Sequence, residues 1–342
     1  MAGLAAVGKG VQENRMQYQG YTEQILERLN QVILGKERQI RLLFSALLSG
    51  GHVLLEDVPG VGKTTLAKAF AGVLDLSFGR IQFTPDTLPS DVTGVAVYHM
   101  NTGEFVYREG PVMNQLVLAD EINRTSPKTQ SSLLEAMAEG QVSVDGVIHP
   151  LPEPFMVIAT QNPIDFLGTY QLPEAQLDRF FMKLSLGYPD REYELLMAER
   201  YLEGDYESAD RGGKVPEPLA DAELIGRMKA ECASLYVHPE LTGYIVSVTE
   251  ATRRDEGFSL GASPRATLAL LRASQAAAYL DGRSYVLPDD IQSVIFPVLC
   301  HRMLLSADAR MKKLTGEKVL KEILLRTPVP VLNREALCGK TV

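Results

Sequence analysis

Short apolar runs alternate with apolar stripes at helical spacing through the first half of the chain, which predicts an α/β domain built on a parallel sheet. His52 to Leu55, Leu116 to Ala119 and the stretch FMVIA ahead of Thr160 are short and bounded, the pattern of strands buried on both faces. Helices run between them. Ile25, Leu26, Leu29 and Val32 recur at helical spacing after Thr22, as do Ile40, Leu43, Phe44, Leu47 and Leu48 between Lys36 and Leu48. Leu66, Ala67, Phe70, Ala71 and Leu74 mark a helix over Thr64 to Leu76. Ser126 as cap, Pro127 in the first turn and Gly140 as the stop bound another. A short helix in EAQLDRFFMKL then leads into a last apolar strand.

Two segments depart from this rhythm. VAVYHM and EFVY flank an Asn-Thr-Gly turn, and QVSVDGVIH turns on Asp145 and Gly146, so both read as β-hairpins inserted between core elements. From about Ala220 the pattern is helical, with four stretches and short connections that make a small all-α lid domain. The expected organisation is a flexible N-terminus (1–20), an α/β nucleotide-binding domain (21–188), an acidic helix and linker (189–219), a helical lid (220–330) and a tail (331–342).

Length and composition agree with this division. A chain of 342 residues suggests two domains, and 45% apolar with 23% charged residues is ordinary soluble globular composition. No run of eighteen apolar residues occurs, so membrane insertion is not expected and a cytoplasmic location is. Cys232, Cys300 and Cys338 are odd in number and lack metal-site spacing, which marks them as buried or incidental thiols. A formal charge of −9 argues against a dedicated nucleic-acid binder. Lys312, Lys313, Lys318 and Lys321 are the nearest approach to a basic patch and read as a solvated face.

The candidate chemistry begins at residues 52–76, where strand, Gly-rich turn and helix follow without a gap. Gly60, Val61, Gly62, Lys63, Thr64 and Thr65 form a phosphate-binding loop, because glycines let backbone N–H groups turn inward around an anion at the positive end of a helix. Lys63 reaches the β and γ phosphates, and the Thr64 hydroxyl is offered to Mg²⁺. Asp57 stands where the pattern G-x-x-x-x-G-K-[ST] has its first glycine, a position that serves the turn more than the phosphate. Upstream, Val32, Ile33 and Leu34 before Gly35 can hold the adenine ring, although a plain helix C-cap explains Gly35 equally well.

Asp120 and Glu121 close the strand that starts at Leu116, on the edge where open α/β sheets bind ligands and on a strand end expected to adjoin the phosphate loop. There Asp120 holds Mg²⁺ through water and Glu121 polarises the attacking water. Asn162, after the next strand, can orient water beside the γ phosphate. Arg179 is either half of a helix-end pair with Asp178 or a guanidinium offered to a neighbouring subunit's phosphate, with Arg124 as the next candidate for the latter. Arg265 follows Pro264 in the first turn of a helix, where a cation gains nothing from the helix dipole and a phosphate partner would explain it.

As a set and in this order, EDVPGVGKT, LVLADEINR, ATQNP, LDRF and SPRA resemble the MoxR family of AAA+ ATPases over nearly the whole chain from about residue 20. The resemblance implies a P-loop NTPase core, and implies for Lys63 and Thr64, Asp120 and Glu121, Asn162, Arg179 and Arg265 the roles of Walker A, Walker B, sensor 1, arginine finger and sensor 2. The two hairpins resemble the helix-2 insert and pre-sensor hairpin shared with magnesium-chelatase and MCM-like relatives. It further implies ATP and Mg²⁺ as cofactors, a hexameric ring, a protein client, and a separate partner bearing a von Willebrand factor A domain, sometimes for metal or cofactor insertion. Two other readings compete: an MCM-like nucleic-acid translocase, disfavoured by the acidic charge, and an ATP-binding scaffold without turnover, disfavoured by Glu121 and Arg179. A guanine nucleotide is not the expected ligand, since no N-K-x-D run is present.

Overall fold

The computed structural model describes residues 16–163, 169–202 and 217–332. Cys338, most of the N-terminal segment and tail, and the middle of the acidic linker lie outside them. The chain divides into an α/β unit, Glu27–Leu43 with Gly50–Ala222, and a helical unit, Met1–Leu26 with Phe44–Ser49 and Glu223–Val342. Helices α1 (Tyr21–Val32) and α2 (Glu37–Leu48) contribute residues to both.

The α/β unit runs β1 (Val53–Glu56), α3 (Lys63–Val73), β2 (Phe78–Gln82), α4 (Pro89–Thr93), β3 (Gly94–His99), β4 (Glu104–Glu109), β5 (Leu116–Asp120), α5 (Pro127–Glu139), β6 (Gln141–Val144), β7 (Val147–Pro150), β8 (Met156–Gln161), α6 (Glu174–Leu177), β9 (Met182–Leu184) and α7 (Arg191–Leu202). Its sheet is parallel, in the order β2-β5-β8-β1-β9. Val53 to Leu55, Leu116 to Ala119 and Met156 to Ala159 are fully buried, as uniformly apolar strands covered on both faces should be. Helix α3 ends three residues short of the expected Leu76, because Asp75 turns into the left-handed region at φ 47°. Leu74 and Leu76 are nonetheless buried.

One expectation is corrected here. The phosphate-loop strand β1 and the acidic strand β5 are not neighbours, because β8 pairs with both and lies between them. Three strands of nearly uniform apolar character carry no pattern that selects a partner, so sheet order is decided by the crossover path.

Both predicted hairpins form. β3 pairs with β4 from Gly94↔Glu109 to His99↔Glu104, and β6 pairs with β7 around Asp145 and Gly146, at φ 50° and 82°. Two consecutive positive φ values suit the twist of a two-residue hairpin. Tyr107 of β4 stacks on His149 of β7 at 3.9 Å between ring centroids.

The helical unit continues with α8 (Ala222–Ala233), α9 (Pro239–Arg254), β10 (Phe258–Leu260), α10 (Pro264–Leu280), α11 (Pro288–Leu299), β11 (Leu304–Leu305), α12 (Ala307–Met311) and α13 (Gly316–Arg326). Ala266, Ala269, Ala273, Ala276 and Ala277 give α10 a buried face of small residues, which permits close helix packing. The short antiparallel β10–β11 ladder is an addition to the helical pattern that such brief segments do not announce. Burial pushes the Cys232 thiol up to about 12, in keeping with an inert thiol, and Lys312, Lys313, Lys318 and Lys321 are all exposed. Among the described residues, no helix is long and apolar enough to cross a membrane.

Candidate functional site

At the phosphate loop, Gly60 and Gly62 lie at φ 85° and 86°, and a Cβ at either would find no atom within 4 Å. Left-handed backbone in open space is what a loop needs to present amides to a ligand. Gly62 caps α3 without a side-chain bond, and the helical ladder opens with Leu66 N–H on Gly62 O, leaving the amides of Lys63, Thr64 and Thr65 ahead of it. The Lys63 ammonium donates to the carbonyl of Asp57 at 2.9 Å. Asp57, only 6% exposed, accepts hydrogen bonds at its carboxylate from Ser185 Oγ and from the Leu186 and Gly187 amides. The unusual residue at the start of the loop is therefore an anchor.

Asp120 ends β5, and Glu121 follows in left-handed backbone, φ 57° and ψ 49°. That conformation costs a non-glycine residue on the order of 1 kcal/mol or more and turns Glu121 away from the strand direction. Thr160 of β8 holds the corner: its hydroxyl accepts from Glu121 N–H at 2.9 Å and donates to Asp120 Oδ1 at 2.7 Å. From β2, Arg80 donates to Asp120 Oδ2 at 2.7 Å, and Gln82 donates to Glu121 Oε2 at 3.0 Å. Arg124 donates to the same Glu121 oxygen at 2.9 Å, so it is paired within its own chain.

Asn162 is buried, and its carbonyl accepts from Asn123 Nδ2 at 3.5 Å. Gln130 braces this corner by donating to the carbonyls of Ile122 and Tyr170. Asn162 lines a cleft of about 270 Å³ with Glu56, Gln161, Leu177 and Lys183. Arg179 lies in another, of about 480 Å³, with Gln176, Glu135 and Glu139, and donates to Leu134 O at 2.7 Å. Helix α6 separates the two, with Leu177 on one side and Gln176 on the other.

Val32 ends α1 partly exposed, with Ile33 half-buried. Gly35 lies at φ 66°, and a methyl group there would collide with the Tyr193 ring, so both backbone angle and close approach require glycine. In the helical unit, Ser263 caps α10 by accepting from Ala266 N–H, and Arg265 is exposed in its first turn. Arg272, two turns on, has its pKa lowered by burial first and by the charge of Arg265 second.

Sequence reasoning missed Arg80, Gln82, Asn123, Gln130 and Lys36. Each is an unremarkable polar residue in its local context and gains its place through contacts across the sheet or between loops.

Residues 52–182 match the model of the ATPase family associated with various cellular activities (AAA), and residues 250–323 match that of the AAA lid domain. The uncharacterized protein YeaC of Bacillus subtilis is 47% identical over 306 residues, covering 90% of this chain and 94% of that one. The chaperone MoxR1 of Mycobacterium tuberculosis is 40% identical over 329 residues, covering 94% of this chain and 85% of that protein. The crystal structure of a candidate ATPase from Cytophaga hutchinsonii superimposes with a TM-score of 0.85 at 36% identity, over 95% of this chain and 99% of that one. Nearly full-length identity at these levels and two AAA models matched in order agree with a phosphate loop and an acidic strand end on one sheet edge: the chain belongs to the MoxR family of AAA+ ATPases.

Proposed function

We propose that this protein hydrolyses ATP in a ring of identical subunits, hexameric in the simplest form, and uses the cycle to remodel protein clients in the cytoplasm. The observation that carries the reading is the pairing of two left-handed, open glycines before an uncapped helix with Asp120 and Glu121 on the same sheet edge. In this reading Gly60, Val61, Gly62 and Thr65 contribute backbone amides around the phosphates, and Lys63 leaves the Asp57 carbonyl for the β and γ oxygens. Val32, Ile33 and Gly35 flank the base. Asp120 and Thr64 are the residues that would hold Mg²⁺. The fit is good, because each Asp120 oxygen accepts one hydrogen bond in the structure and a carboxylate offers about four lone-pair sites. When bound, the ion supplies neutralisation of phosphate charge.

Glu121 takes a proton from, or orients, the attacking water, and Asn162 fixes that water's position. Arg179, on the far side of α6 from Asn162, completes the site of the next subunit, and Arg265 is the proposed sensor 2 residue. The chaperone relative supports a protein client, and a separate von Willebrand factor A domain protein is the proposed partner. A net charge of −9 supports the exclusion of nucleic acid as the working substrate.

Titrating Arg179→Ala protein into Lys63→Ala protein tests the reading. Each alone should turn over ATP at background, the first losing about 10³-fold or more. Mixed rings, verified by light scattering, should regain activity where an intact loop meets an intact Arg179. Wild-type hydrolysis no faster than that of Glu121→Gln protein would overturn the ATPase assignment. Silent mixtures with mixed rings present would overturn the role of Arg179.

A further inference from the structure

Lys36 and Asp57 are buried charges of the α/β unit, 7% and 6% exposed, that the proposed chemistry does not use. Both grip one piece of backbone, the strap Ser185 to Tyr188 that follows β9. The Lys36 ammonium donates to the carbonyls of Leu186 at 2.6 Å, Tyr188 at 3.0 Å and Gly187 at 3.2 Å. The Asp57 carboxylate accepts from Leu186 N–H at 2.7 Å, Gly187 N–H at 3.0 Å and Ser185 Oγ at 2.8 Å. Leu186 and Gly187 thus give their N–H groups to the anion and their carbonyls to the cation. Polarised peptide groups between the two charges compensate both in a site where either alone would be costly.

The two charges stand at different functional segments. Lys36 directly follows residues 32–35, a turn also fixed by the Tyr193 ring against Gly35. Asp57 opens the phosphate loop, and its own carbonyl holds the Lys63 ammonium at 2.9 Å. We propose that Lys36 and Asp57 are positioning residues that tie the base-binding segment and the phosphate loop to a common strap, fixing their spacing for an adenine nucleoside triphosphate. The inference rests on the nucleotide reading above.

Calorimetric titration with ATP and with inorganic tripolyphosphate separates the two anchors. Lys36→Met should weaken ATP about tenfold and leave tripolyphosphate unchanged, because only the base segment comes loose. Lys36→Arg, which keeps charge and donors, should restore the wild-type ratio of the two affinities. A purely structural lysine would shift both ligands together. Asp57→Asn should weaken both about tenfold, since its loss frees the loop that carries Lys63. If Lys36→Met does not fold by circular dichroism, Lys36→Gln keeps two donors and should lower the same ratio by a smaller factor. A wild-type protein that binds ATP, together with folded Lys36 variants of unchanged ratio, overturns this inference alone. A wild-type protein that binds neither ligand overturns the nucleotide reading and the inference with it.

Discussion

At the phosphate loop, Gly60 and Gly62 turn through left-handed conformations into open space, and the side-chain bond of Lys63 goes to its own loop. Across β8 in the same sheet, Asp120 and Glu121 are gripped by Arg80, Gln82 and Thr160, residues 39 or 40 positions away in the chain. One half of the site is thus made by a single contiguous segment and is open. The other is made by three strands and is filled with its own hydrogen bonds. In the proposed roles, the loop would release one lysine to take a phosphate, whereas the acidic edge would rearrange a network before meeting a metal ion or water.

The sharpest way to break this comparison is to damage each half separately. Glu121→Gln should keep ATP affinity and lower turnover by about 10²–10⁴-fold, the range for loss of a general base. Lys63→Ala should act on binding, weakening ATP about 10- to 100-fold, because it removes a charged donor and nothing else from the loop. Equilibrium binding and steady-state hydrolysis, measured on both variants, decide the matter. Equal loss of affinity in the two would mean that the halves are not separable.

The same contrast explains what could be read from the sequence. Gly60, Gly62, Lys63 and Thr64 lie within five residues, so a local pattern is enough to predict a phosphate loop there; Ser126, Pro127 and Gly140 bound α5 as their residue types predict. Both hairpins were legible in the same way, since Asp145 and Gly146 in one turn and Gly103 in the other favour the positive φ they adopt. The acids were visible as a strand end, but their neighbours were not. Pairing of Gln82 with Asp120 depends on the β2–β5 register, and insertion of β8 between β1 and β5 depends on chain path. Asp57 shows the limit most clearly: a departure from the loop pattern became intelligible only when residues about 130 positions later supplied its partners.

Thr160 tests whether the filled half owes its shape to the network. Valine is nearly isosteric, so Thr160→Val removes the bond to Asp120 and the acceptor for Glu121 N–H without opening a cavity. Thr160 is completely buried, and the loss should destabilise the fold by about 1–3 kcal/mol in chemical denaturation. Glu121 should also lose its preferred backbone corner, so hydrolysis should fall more than ATP affinity. A variant as stable and as active as wild type would show that the left-handed turn at Glu121 is fixed by other contacts.

The smallest expected effect is at Arg80, and its sign is informative. Its guanidinium pairs with Asp120 Oδ2 at 2.7 Å, with side chains 43% and 13% exposed, so the pair contributes at most about 1 kcal/mol. If Asp120 holds Mg²⁺ as proposed, that cation would screen the carboxylate in the metal-free protein and would compete with or repel the ion in the loaded one. Arg80→Ala should therefore lower the Mg²⁺ concentration needed for half-maximal binding of a fluorescent ATP analogue, by up to about fivefold. Arg80 also donates to Gln82 Oε1 at 3.0 Å, so its removal loosens the Gln82 amide that faces Glu121, and a slight change in hydrolysis should accompany the shift. A higher Mg²⁺ requirement in the variant would reverse the assignment. Arg80 would then be an orienting group that aims Asp120 at the metal, and the filled half of the site would be as prepared for its ligand as the open one.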